Sequence, residues 1–320
     1  KYKNPELKEK LDYIVRVKSF AIDTLGLPAT DSYTSYVDLQ RRFAVWNVFA
    51  AEEFSVQPET WCFPVAGCTA YRGYFNKEDA IAFESDLKSQ GYDTYSGSVA
   101  AYSTLGWFDD PVLNTFITRS QEELAALIFH EMTHQLIYVK GDSSFNEGLA
   151  TTVEQAGLQQ WLIVLGKPAL FDQYTDKRQF HREIVALINA NREKRKSLYQ
   201  SNISATEKRL LKKQLVEELR EDYEALKTRL DRNYGYDNWF QKDLNNAQLT
   251  TITTYNELVP GFNRLLALLN NNLPDFYDAC RHLASLDRDE RHRILMGIAD
   301  GGNLPDYNLS TPKAAYYQPY

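Results

Sequence analysis

Two short runs, Phe129-His130-Glu131-Met132-Thr133-His134 and Phe145-Asn146-Glu147-Gly148-Leu149-Ala150, constrain this chain more than any other feature. The first is an HExxH motif. Histidines four apart fall on one helix face, about one turn from each other. His130 and His134 can therefore hold one zinc ion, with Glu131 beside them as general base. The second run restricts the fold. Ser120 and Glu123 read as a capping box, with Glu122 and Glu123 in the positive first turn, and Leu124, Leu127, Ile128, Leu136 and Ile137 give the helix an apolar face. Lys140 and Gly141 end it; Asp142-Ser143-Ser144 starts a second helix, through Glu154 to Leu165, which Gly166 stops. So short a turn predicts antiparallel neighbours. At about 1.5 Å per residue, His134 and Glu147 both lie roughly 6–9 Å from the turn. Glu147 then completes a His2Glu set with a fourth position open for water, the pattern of a catalytic zinc. Asp142, in the turn, is the rival third ligand. The plainer alternative is a pair of satisfied core histidines with a surface glutamate.

The pairing of HEMTHQ with FNEGLATTVE resembles the gluzincin aminopeptidases, in which HExxHQ is followed by a helix beginning NEG. The resemblance implies that Glu147 is the third zinc ligand; the shorter gap here means a different connecting segment. A closer resemblance covers most of the chain. Its runs are 61–68 (WCFPVAGC), 71–75 (YRGYF), 101–108 (AYSTLGWF), 110–113 (DPVL) and 254–262 (TYNELVPGF). Together they are similar to a bacterial family of predicted zinc aminopeptidases, often envelope lipoproteins. That implies a periplasmic peptidase whose full-length form carries a lipid anchor on a removed N-terminus.

Zinc would lower the pKa of a bound water and polarise the scissile carbonyl, and Glu131 would carry the water proton to the leaving amine. The oxyanion needs a second donor, a tyrosine in the resembling peptidases. Among 21 tyrosines, Tyr255 is the first choice because theirs lies downstream of the NEG helix, and Tyr102 is the second. Glu154, seven residues after Glu147, either orients a zinc-bound histidine or is a solvated glutamate. Asp110, with Asp109, is a candidate anchor for a substrate amine. The small-residue run Ser96–Tyr102 reads as a strand, whose edge could pair with an extended peptide.

The expected fold is α+β and predominantly helical: a zincin-like catalytic domain with a small sheet and an inserted long antiparallel helical hairpin. Residues 1–175 hold N-terminal helices, the sheet and the zinc-site helices, and residues 233–320 complete the catalytic domain. The first 50 residues look helical, with a break near Gly26-Leu27-Pro28, and residues 55–107 mix short strands with a helix at 77–90. Residues 176–232 form the hairpin, with Phe180, Ile184, Leu187, Ile188 and Leu198 on one arm. Leu211, Leu215, Leu219, Tyr223, Leu226 and Leu230 line the other, across a turn at 201–204. The run Arg192–Lys196 reads as a solvated face.

A net charge of −7 gives no basic field for nucleic acid, and no apolar run approaches the roughly 20 residues of a membrane span. Cys62 and Cys68 either close a small loop in an oxidising compartment or remain thiols; Cys280 reads as a buried thiol. The function expected is a zinc-dependent peptidase with one zinc ion per chain and peptide as substrate, an aminopeptidase first. The alternatives are an endopeptidase and a non-catalytic zincin that binds peptide or cell-wall material.

Overall fold

The computed structural model describes residues 4–63, 67–100, 109–252 and 257–303. In chain order its elements begin α1 (Pro5–Asp23), β1 (Tyr36–Val37), β2 (Val45–Ala51), β3 (Trp61–Phe63), β4 (Gly67–Thr69), β5 (Arg72–Tyr74), α2 (Lys77–Ser89), β6 (Asp93–Val99) and β7 (Val112–Leu113). They continue with α3 (Gln121–Leu136), α4 (Ser143–Val164), α5 (Ala169–Gln200), α6 (Ala205–Leu230), α7 (Asp237–Phe240), α8 (Asn246–Thr250), α9 (Val259–Leu268), α10 (Leu273–Ala284) and α11 (Arg288–Ala299). The protein is thus predominantly helical with small sheets. It divides into two compact units, residues 1–40, 103–171 and 255–320 in one, residues 41–102 and 172–254 in the other.

In the first unit, Asn4 caps α1 and Pro5 occupies its first turn, where the missing N–H costs nothing. The buried stripe Tyr13, Ile14, Val17, Phe20 and Ala21 turns α1 onto α3 and α4. The contact is largely aromatic: the Phe20 ring lies 6.0 Å from Phe129 and 5.0 Å from Trp161. Trp161 Nε1 donates to Tyr13 Oη at 2.8 Å, and Tyr13 in turn donates to the Gln121 carbonyl at 2.9 Å. On α3, Leu124, Ile128, Phe129 and Met132 are wholly buried, each contributing about 1.5–3 kcal/mol. From α9, the Phe262 ring comes so near Gly148 that a Cβ there would lie 3.0 Å from it. This accounts for a glycine at that position of the second motif.

The second unit is built on a three-stranded antiparallel sheet in the order β5-β2-β6, with α2 against it. Residues 24–51 are therefore not helical, contrary to the reading of the first 50 residues. Gly26 turns the chain with φ +70°, and Val45–Ala51, rich in β-branched and aromatic residues, is the central strand, paired on both sides. Cys62 and Cys68 face each other across β3 and β4 and are joined in a disulfide. Cys280, on α10 of the first unit, is a free and buried thiol.

Helices α5 and α6 run antiparallel, pairing Glu183 with Arg229 at 3.2 Å and Lys194 with Glu218 at 2.9 Å. Ser204, the last residue of the expected turn, caps α6 through a capping box. Phe180, Ile184, Ile188, Leu219, Tyr223 and Leu226 share one core with Phe240, Leu244 and Leu249. Toward the turn the apolar stripe gives way to polar packing, and the run 192–196 departs from a solvated face. Arg195 is fully buried. Its Nε donates to Asn191 at 2.8 Å and its Nη1 to Asn246 at 3.1 Å, while the Asn246 carboxamide donates to the carbonyls of Glu52 and Glu53. Arg192 donates to the Val56 carbonyl at 2.9 Å. Among the described residues no helix is long and apolar enough to cross a membrane.

Candidate metal centre

Helix α3 begins at the capping box of Ser120 and Glu123. It stops at Leu136, one turn short of Lys140, because Ile137 takes an extended conformation. The sequence misses the cause. The Asn146 carboxamide accepts from the Val139 N–H and donates to the Val139 carbonyl, both at 2.8 Å. These bonds replace the helical partners the connecting segment has given up. The only local hint was an asparagine opening the second motif.

Asp142 caps α4 by accepting from the Phe145 N–H at 3.2 Å. It is 2 % exposed and meets Arg291 Nη1 at 3.3 Å and His292 Nε2 at 2.9 Å. The carboxylate weighed as a rival ligand is thus engaged by α11 instead.

The short connection lays α4 against α3 in the opposite direction, with its first turns facing the histidines. His130 Nε2 lies 3.1 Å from Glu147 Oε2, and His134 Nε2 lies 3.5 Å from Glu147 Oε1. One donor atom from each of His130, His134 and Glu147 falls within 4.8 Å of the others, so the three could hold a metal ion. Two turns along α4, Glu154 Oε2 takes the other nitrogen of His130, Nδ1, at 2.8 Å. That bond fixes the ring with Nε2 toward Glu147. The His134 ring stands edge-on to His130, with centroids 4.9 Å apart. Its Nδ1 is buried without a hydrogen-bond partner.

The electrostatics separate the two histidines. Burial opposes charge on His130, but hydrogen bonds to Glu147 and Glu154, with the nearby carboxylate charges, outweigh it and push the imidazole up to about 10. Burial and the neighbouring His130 bring His134 down to about 4. Burial raises Glu147, yet its bond to His130 and the two imidazoles leave it below its usual value. These residues fit a divalent metal. A bound cation would meet the charge of Glu147, with Glu154 holding the far side of His130.

Glu131 is half-buried on α3. Its charge, behind burial in importance and ahead of Asp110, raises the phenol of Tyr33, a residue that sequence reasoning passed over. Asp110 is 4 % exposed, and its backbone bonds to Ser32 and Tyr33. Tyr102 and Tyr255 lie outside the described residues, as does the run 101–108.

Fold and site together define a mostly helical protein with a two-histidine, one-carboxylate group able to hold a metal ion. A family model described as "Putative aminopeptidase" matches residues 1–295, and the chain belongs to that family. No curated protein and no solved structure matches it.

Proposed function

We propose that this protein is a zinc-dependent peptidase, in the first place an aminopeptidase, with His130, His134 and Glu147 holding one zinc ion per chain. The observation that carries the reading is the convergence of both Nε2 atoms on Glu147, with Glu154 bound to the far side of His130. Two imidazoles and a carboxylate suit zinc better than a hard cation such as magnesium. When bound, zinc would make water acidic near neutral pH and polarise a peptide carbonyl. Glu131 takes the proton of the attacking water and returns it to the leaving amine. Glu154 holds His130 in the tautomer that frees Nε2. Glu131 itself favours catalysis over mere binding, since zinc retention requires only the ligands.

The same reading makes the catalytic part zincin-like, with residues 176–232 as a hairpin inserted into it. Departure of the chain from the first unit at residue 171 and its return at 255 support that division. The Cys62–Cys68 disulfide supports work in an oxidising compartment, in line with a bacterial envelope.

The test is to incubate zinc-loaded protein with a peptide mixture, half of it N-acetylated, and follow products by mass spectrometry with Glu131→Gln as blank. Stepwise loss of N-terminal residues from free peptides alone, absent in the blank, is the expected result. Equal cutting of blocked peptides would make the protein an endopeptidase. No cutting at all would refute the enzymatic reading.

A further inference from the structure

The metal centre has an aromatic neighbour. Ile137 leaves α3 in an extended conformation, φ −142° and ψ 124°, and successive extended residues point their side chains to opposite sides. Ile137 turns inward and is buried, while Tyr138 turns outward and keeps 45 % of its surface exposed. The outward ring does not stand apart in solvent. It meets the ring of His134 almost perpendicularly, at 82°, with centroids 6.3 Å apart.

The clamp between α3 and α4 fixes the backbone that carries this ring. Both hydrogen bonds of the Asn146 carboxamide go to the Val139 backbone. Tyr138 directly precedes Val139 and Glu147 directly follows Asn146, so the two side chains flank the same pair of bonds. Glu147 is also the most open of the three groups that could hold a metal, its side chain 36 % exposed and those of both histidines less so. The opening of the centre and the exposed tyrosine therefore lie at the same junction. A ring left this exposed contributes little to folding. Beside a metal-holding histidine it offers a flat apolar wall with a polar tip.

We propose that Tyr138 is a specificity-determining residue of this site, its ring forming the wall against which an apolar or aromatic side chain of the peptide substrate packs. This role rests on the peptidase reading above. An extended peptide advances about 3.3–3.6 Å per residue, so a ring 6.3 Å from that of His134 is less than two residues away. A peptide whose reacting carbonyl lies at the histidines brings a neighbouring side chain within reach of it. Packing of one aromatic ring on another is worth up to about a factor of 10. The contact is the same before and during the reaction, so it acts on binding.

The experiment compares metal-loaded wild type, Tyr138→Phe and Tyr138→Ala, with metal content measured for each. Kinetics are taken on peptide pairs that differ only in phenylalanine or alanine beside the bond cut, on either side of it. Calorimetry gives the affinities for phenylalanine hydroxamate and alanine hydroxamate. All three proteins should hold the same metal. Wild type should prefer the phenylalanine peptide, and Tyr138→Ala should lower that preference about 10-fold through KM, with the same fall in the ratio of hydroxamate affinities. Tyr138→Phe, which keeps the flat ring, should keep the wild-type ratio. A ratio unchanged in Tyr138→Ala, a ratio that falls equally in Tyr138→Phe, equal losses on both peptides, or loss of metal overturns the Tyr138 role alone. A metal-loaded wild type that neither cuts peptide nor binds either hydroxamate overturns the peptidase reading and the Tyr138 role with it.

Discussion

Asp142 is the residue at which two readings of this site make opposite predictions. As a ligand it would be needed for metal; as seen here it caps α4 and pairs with α11. Its carboxylate is 2 % exposed, 3.3 Å from Arg291 Nη1 and 2.9 Å from His292 Nε2, and the Arg291 side chain is itself only 8 % exposed. Removing one partner of a buried pair costs about 3–5 kcal/mol, because the other charge stays desolvated. Loss of an aspartate cap adds about 1 kcal/mol. Asp142→Ala should therefore cost about 4–6 kcal/mol, a large share of the 5–15 kcal/mol of a typical domain. Asp142→Asn, which still caps, should cost about 1 kcal/mol less. Urea unfolding gives the stabilities, and atomic absorption of the folded protein gives the metal content. Both variants should retain stoichiometric metal. Loss of metal at unchanged stability would refute the argument and make Asp142 a ligand. A cost below about 1 kcal/mol would remove the buried pair from the account.

Other outcomes follow from the same structure. Glu147→Ala should lose the metal outright, whereas Glu154→Gln should weaken it about 10–100-fold by slackening the hold on His130; metal titration with a competing chelator ranks them. Gly261→Ala should destabilise by about 3 kcal/mol, since its Cβ would stand 2.3 Å from the Leu295 carbonyl oxygen. Gly297→Ala, with open space around it, should be neutral or stabilising, and thermal melts of the pair check the contrast. His181 is brought down to about 4 by burial and by Arg178 and Arg182. The unfolded chain therefore binds the extra proton between about pH 6.5 and 4. Stability is full above that window and falls as pH drops through it, by at most about 3 kcal/mol. The slope should flatten in His181→Gln, as urea midpoints against pH would show.

What was legible in the sequence is what is written within a few residues. The capping box at Ser120, the stop at Gly166, the turn at 201–204 and the four-residue spacing of His130 and His134 are local signals, and each appears in the structure where expected. Glu147 meets the histidines because a short connection forces neighbouring helices together. The helical reading of residues 24–51 fails for the complementary reason. Val45–Ala51 is a strand because β5 and β6 pair with it, and neither partner is visible from within its own seven residues. Arg195 looked like one more charge in a solvated run until Asn246, 51 residues on, took it inside.

The sequence by itself determined the two helices, the three groups that could hold a metal and the carboxylate among them, since helix geometry converts spacing directly into position. Only the tertiary structure decided that Asp142 answers to Arg291 and His292, about 150 residues away. It alone put Gln135 against Thr30 and Ser32. These contacts join side chains more than a hundred residues apart on separate elements. Their partners are set by how the helices pack, and no periodicity along the chain encodes that.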